Sequence, residues 1–164
     1  MRRPLCHALS PLQGEREKYF RNTSMSTIQI AETPAEVSAC YAVMAQLRPQ
    51  YAHDEFIACV QRQMQDGYRL AYLSRDGAVQ AVAGYRLLAN LAWGRFLYVD
   101  DLVTHPDSRS QGHGKTLLAW LTEHARHHGC AQLHLDSGAH RKDAHRFYLR
   151  EGMENVGFHF AIKL

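Results

Sequence analysis

Apolar residues along this chain recur at two spacings, and the switches between them mark the elements. Ser26 to Ala31 alternates polar and apolar side chains, as a half-buried strand does. Thr33-Pro34 then opens a helix whose apolar positions are Ala35, Cys40, Val43, Met44 and Leu47, and Pro49 stops it. His53 to Gln65 fits a second helix, closed by Asp66-Gly67. Tyr68 to Ser74 reads as a strand, Asp76-Gly77 as a hairpin turn, and Ala78 to Leu88 as the returning strand. Arg95 to Thr104 follows as a third antiparallel strand, with Phe96-Leu-Tyr-Val99 at its buried centre. From about Gly112 to His128 the period lengthens again, placing Gly114, Leu117, Leu118, Leu121 and Ala125 on one helix face. Ala131 to Asp136 is then a strand, His140 to Arg150 a helix, and Val156 to Lys163 a last alternating strand. The order β-α-α-β-β-β-α-β-α-β predicts an α/β fold in which helices cover a mixed sheet.

At 164 residues, with no internal repeat, the chain suits one domain with a substantial core. That domain is expected over residues 25–164. Residues 1–24 contain Pro4, Pro11 and Gly14, show no sustained periodicity and end just before a second methionine, Met25. They read as an extension, with three alternatives: a flexible segment, an arm on a partner subunit, or a start placed too early. The net charge of +3 belongs to this stretch, which holds five Lys/Arg against two Glu and leaves fourteen of each sign elsewhere. A neutral domain has little electrostatic reason to bind a nucleic-acid backbone, so no nucleic-acid partner is expected. Cys6, Cys40, Cys59 and Cys130 lie far apart without Cys-x-x-Cys spacing, which points to reduced thiols and a cytoplasmic setting. No apolar run is long enough to span a membrane. His124, His127 and His128 suit the carboxyl end of a helix better than a metal, and no metal is expected.

The most informative segment joins the third antiparallel strand to the long helix: Arg109-Ser110-Gln111-Gly112-His113-Gly114-Lys115. Glycines at a helix start let the backbone approach a ligand, and the unpaired first-turn amides together with the helix dipole favour an anion such as pyrophosphate. A Walker loop would need glycine where Arg109 stands, and a dinucleotide fingerprint would need one at Leu117. What remains is Arg-x-x-Gly-x-Gly, which resembles the acetyl-coenzyme A loop of the Gcn5-related N-acetyltransferases. A second motif, Ala144-His-Arg-Phe147-Tyr148-Leu-Arg-Glu-Gly152-Met153, is similar to that family's carboxyl-terminal Ala-x-x-Phe-Tyr-x-x-x-Gly-Phe. The resemblance covers roughly residues 27 to 164. It implies a mixed sheet of six to seven strands flanked by about four helices, with acetyl-coenzyme A as cosubstrate held by Leu102, Val103, Thr104, Arg109, Ser110, Gln111, Gly112, His113, Gly114, Lys115, Phe147 and Tyr148.

Moving an acetyl group from a thioester to an amine needs a neutral amine, a polarised carbonyl and a proton for the leaving sulfur. An alkylamine has a pKa of about 10.4, so a carboxylate must help remove its proton near neutrality. Asp100 and Asp101 interrupt an apolar strand, where adjacent side chains point to opposite faces unless a bulge re-aims one. A pair of acids capping the following loop is the alternative. By resemblance to polyamine-type members, which carry Glu-Asp here, Asp100 is the candidate base, acting directly or through water, and Asp101 a holder of the ammonium group. Tyr148 is the candidate acid by the same resemblance; without the motif it reads as a core tyrosine beside Phe147. A backbone amide within Leu102 to Thr104 would polarise the carbonyl.

Two positions depart from the family pattern. Ser110 stands where glycine is frequent, and Arg141 stands where many relatives have asparagine, so it reads either coenzyme phosphate or an anionic substrate. The expected acceptor is the amine of a small molecule. Ala144 to Gly152 looks like aminoalkylphosphonate N-acetyltransferases, whereas the acid pair suits a cationic amine. Gln50, Tyr51, His53 and Tyr85 are candidate acceptor contacts by position. The alternatives are a protein or peptide acceptor and a non-catalytic acetyl-coenzyme A sensor. Phe158 and Phe160 on the last strand are available either to pair subunits as a homodimer or to fill the chain's own core.

Overall fold

The computed structural model describes residues 26–164; the expected extension of residues 1–24 lies outside the described residues. Strand β1 (Ser26–Ile30) leads into α1 (Pro34–Met44) and α2 (His53–Gln65). Thr33 caps α1: its Oγ1 accepts the Glu36 amide at 3.3 Å while Glu36 Oε2 accepts the Thr33 amide at 2.9 Å, satisfying two otherwise unpaired donors. Strands β2 (Tyr68–Arg75), β3 (Ala78–Asn90) and β4 (Gly94–Thr104) then run antiparallel. A 3-10 turn (Pro106–Ser108) precedes α3 (His113–His127), after which β5 (Gln132–Leu135) pairs parallel to β4, and α4 (Lys142–Arg150) follows. The sheet order is β1-β2-β3-β4-β5.

Helices cover both faces of this sheet, which is why β2 is apolar almost throughout. Leu70 and Tyr72 join Val37, Cys40, Val43, Phe56 and Val60 beneath α1 and α2. Ala71 and Leu73 point the other way and join Leu97, Val99, Leu117 and Leu121 beneath α3. Each face therefore keeps the period of a strand while the strand as a whole reads as a hydrophobic run.

The fold class is as expected, but the strand count is five among the described residues, and the last element is α4 rather than a sixth strand. Residues 153–164 carry no regular structure. Val156, Phe158, Phe160 and Ile162 are 76–89 % exposed, so Phe158 and Phe160 are not part of the chain's own core. Alternation prepares a segment for pairing, but a strand exists only where a neighbouring ladder takes up its backbone hydrogen bonds. His159 Nδ1 of this segment lies 3.2 Å from Oδ2 of Asp136, the residue just past β5.

Candidate active site

The ladder between β3 and β4 slips by one residue in the middle of the sheet. Gly84 faces Asp101 and Tyr85 faces Val99, which leaves Asp100 as the extra residue of a bulge. The slip changes the phase of β4. Leu97 and Val99 pack toward α3, and beyond the bulge so does Leu102, whereas Val103 packs toward α1 and α2. Asp100 and Asp101 consequently line one and the same cleft, which adjacent residues of a regular strand cannot do.

Gly84 is what makes room for this. A Cβ there would sit 2.5 Å from Tyr68 Cζ and closer still to its hydroxyl oxygen, so any side chain would evict the tyrosine. Tyr68 uses the space to donate its hydroxyl to Asp101 Oδ2 at 3.1 Å. Arg48 Nε pairs with Asp101 Oδ1 at 2.7 Å, and Arg86 Nε pairs with Asp100 Oδ2 at 3.1 Å. Arg86 is itself held by Gln63 Oε1 at 2.5 Å and by the Asp66 carbonyl at 3.1 Å. Burial pushes the Asp100 carboxyl above the usual carboxylate range, and Arg86 restrains the rise. Burial likewise raises the Tyr68 phenol, with Asp101 adding to it.

Two clefts of about 260 and 250 Å³ meet at Arg48 and Asp100. The second runs under α1 and α2 and is lined by Gln50, Tyr51, Cys59 and Asp101 among others. The first lies where β4 and β5 part: their ladder ends at Val99 opposite Leu135, leaving one edge of β4 open beyond it. Leu102, Ser137, Arg141 and Tyr148 line this cleft. Burial raises the Tyr148 phenol above its ordinary value, and the positive charge of Arg141 partly offsets the rise.

The glycine loop lies at the head of α3. Gly112 is the N-cap residue, with φ 84°, and Ser110 has φ 62°, a left-handed backbone that glycine adopts without steric cost. No side chain caps α3, and its first intrahelical bond runs from the Thr116 amide to the Gly112 carbonyl at 2.9 Å. The amides ahead of it are therefore open toward an anion. Gly114 is crowded: a Cβ would lie 3.2 Å from Thr104 Oγ1 and 3.7 Å from Phe147 Cζ, so β4, α3 and α4 converge on it. Lys115 Nζ lies 3.4 Å from Glu151 Oε2, tying α3 to the end of α4. His113 turns inward, with its ring buried and Nε2 unpartnered, and burial lowers its pKa. Only its backbone belongs to the loop's outer face.

Two other expected contacts are not brought to the clefts. Tyr85 is 1 % exposed beneath α3, where its hydroxyl lies 3.0 Å from His124 Nε2, because its partner Val99 is on that side of the bulged strand. His53 is tied to Ser38 Oγ at 2.8 Å and to Asp54 Oδ1 at 2.8 Å, at the outer start of α2. Among the described residues no group of three His, Cys, Asp or Glu side chains is arranged to hold a metal, and no helix is long and apolar enough to cross a membrane.

The profile described as the acetyltransferase (GNAT) family matches residues 30–153. The chain belongs to this family of acetyltransferases. An uncharacterized N-acetyltransferase of Bacillus subtilis (strain 168), YhdJ, is 36 % identical over 117 residues, 69 % of this chain and 80 % of that protein. The aminoalkylphosphonate N-acetyltransferase of Salmonella typhimurium (strain LT2) is 38 % identical over 94 residues, 57 % of this chain and 60 % of that protein. Among solved structures, the aminoglycoside N-acetyltransferase AAC(6')-Iy in complex with coenzyme A superposes with a TM-score of 0.78 at 15 % identity, covering 88 % of this chain and 97 % of that one; this shows the fold.

Within this GNAT domain, no sequence pattern marks Tyr68, Arg48, Arg86 or Ser137 as residues of the site. A lone glycine inside a strand pattern signals a bulge or a close backbone approach, so Gly84 was the available sign. The arginines carry no such sign, because partners 53 and 14 positions apart meet only in the folded chain.

Proposed function

We propose that the protein transfers the acetyl group of acetyl-coenzyme A directly to the primary amine of a small molecule. One observation carries the reading: Asp100, set by the bulge, and Tyr148, on α4, line the same cleft. Asp100 takes the proton of the ammonium form directly or through water, and its raised pKa makes it a better base than an ordinary aspartate. The amine nitrogen then bonds to the thioester carbonyl carbon, whose oxygen becomes an oxyanion beside the amides of Leu102 to Thr104 on the open edge of β4. As the carbon–sulfur bond breaks, Tyr148 supplies the proton to the thiolate, and the product amide sheds its surplus proton to solvent. The open amides at the head of α3, with Arg109, suit the diphosphate of the cosubstrate. The aminoalkylphosphonate relative, whose name specifies an amine acceptor, supports a small molecule over a protein.

We read residues 156–164 as the seat of subunit pairing, a homodimer covering their exposed apolar positions, and the reduced cytoplasm as the setting for Cys40, Cys59 and Cys130. Steady-state release of coenzyme A thiol with a panel of primary amines tests the main reading. Selective turnover of small amines is expected. Turnover of peptides alone would move the acceptor to a protein, and a panel with no turnover would leave a binding module.

A further inference from the structure

Around the site Asp100 and Asp101 are each met by a guanidinium, Asp136 is held by a phenol hydroxyl and lies against a histidine, and Arg141 is met by no carboxylate among the described residues. Asp100 is met by Arg86 and Asp101 by Arg48, two carboxylates against two guanidiniums, and Tyr68 adds a hydroxyl donor to Asp101. The acid pair therefore presents no net negative charge with which to select a polycationic acceptor. Asp136, on the same wall of the first cleft as Ser137, accepts from the Tyr98 hydroxyl and faces His159. Arg141 also lines this cleft, and its exposed guanidinium has no carboxylate partner among the described residues. Close by in sequence and in the same cleft, Ser137 Oγ is buried with no hydrogen-bond partner. A buried hydroxyl without a partner is costly in a folded protein, and it is satisfied when a ligand brings an acceptor to it. A guanidinium and a hydroxyl donor lining one cleft can together bind an oxyanion, the guanidinium through charge-assisted, geometrically specific hydrogen bonds.

We infer that the acceptor amine carries an anionic group of its own, a phosphonate or a carboxylate, held by Arg141 and Ser137 while its amine faces Asp100. This rests on the proposed acetyl transfer and names its substrate class. A cleft of about 260 Å³ that the acceptor shares with the acetyl group limits the molecule to a few carbon atoms between the two charges. The ligand is zwitterionic, and each end meets a group of opposite sign. Arg141 then acts on the acceptor and not on the phosphates of the cosubstrate, which belong at the head of α3.

The test compares 3-aminopropylphosphonate, 4-aminobutyrate, butylamine and 1,4-diaminobutane as acceptors for the full chain, with thiol release as the signal. The two anionic amines are expected to exceed the other two in kcat/KM by roughly tenfold or more, the effect of one charge-assisted interaction. Whichever of the two is preferred identifies the anionic group. Arg141→Gln should collapse that ratio through the KM of the anionic amine, with little change in the KM of acetyl-coenzyme A, and Arg141→Lys should restore part of it. Ser137→Ala should shift the same ratio in the same direction by a smaller factor. Turnover of butylamine or 1,4-diaminobutane at equal or better efficiency overturns the inference and leaves acetyl transfer standing. So does an Arg141→Gln effect confined to the KM of acetyl-coenzyme A. Failure of every amine removes the transfer reading itself and this inference with it.

Discussion

Asp100 and Tyr148 divide the two proton transfers of the proposed reaction because their surroundings differ. Burial raises both from their ordinary values, but Asp100 has Arg86 at 3.1 Å to keep its ionised form accessible, whereas Tyr148 stays protonated across the physiological range with Arg141 nearby. A base must be ionised, so activity should fall as pH drops through the raised Asp100 pKa. The acidic limb of the kcat/KM profile is thus expected above the ordinary carboxylate range, and Asp100→Asn should remove most of the activity together with that limb. Tyr148→Phe should lower kcat by roughly a hundredfold or more while acetyl-coenzyme A binding, measured by calorimetry, is retained. Undiminished turnover in that variant would mean that another group protonates the sulfur. Motif spacing made both residues legible in the sequence. Arg86 was not, because an arginine on a strand is ordinarily a solvated side chain, and only its hydrogen bonds to Gln63 of α2 and to the Asp66 carbonyl hold it against Asp100.

At the level of elements, the bulge in β4 matters most to the site, and it depends on a residue opposite it. Gly84 gives Tyr68 the space from which its hydroxyl reaches Asp101, and the extra residue in β4 lets both acids face α1 and α2. Gly84→Ala would drive a methyl group into the Tyr68 ring. Overpacking of this kind costs about 1–3 kcal/mol, so a lower Tm is expected, together with an activity loss larger than the stability loss explains. Tm and kcat/KM unchanged from wild type would show that the strand pair yields without moving Asp101. The sequence indicated a sheet with a glycine inside it and two acids next to each other; whether those acids share a face depends on register, which is a property of two strands together. The glycine loop was easier to read. Its geometry is local, so Gly112 at φ 84° and the uncapped start of α3 follow from neighbouring residues alone.

For the molecule as a whole, the open question posed by the sequence was what Val156 to Lys163 pairs with. The alternation is that of a strand, yet the segment lies beyond the ladder of β5, with Phe158 and Phe160 87 and 89 % exposed. Exposed apolar residues at every second position mark a surface that gains by being covered. In sedimentation velocity the wild-type chain is expected to run as a dimer at micromolar concentration, and Phe158→Ser with Phe160→Ser as a monomer. A wild-type chain that remains monomeric would separate this segment from subunit pairing. The identity and order of the elements as far as α4, the glycine loop and the Phe147-Tyr148 motif were determined by the sequence itself, because each depends on side-chain spacing within one element or on neighbouring backbone. Tertiary structure alone decided that both acids face one cleft, that Arg48 and Arg86 neutralise them, that Tyr85 is buried beneath α3, and that the last alternating segment forms no strand in its own chain. These outcomes rest on register, charge pairing and ladder partners, all of which join residues distant along the chain, and no local pattern encodes them.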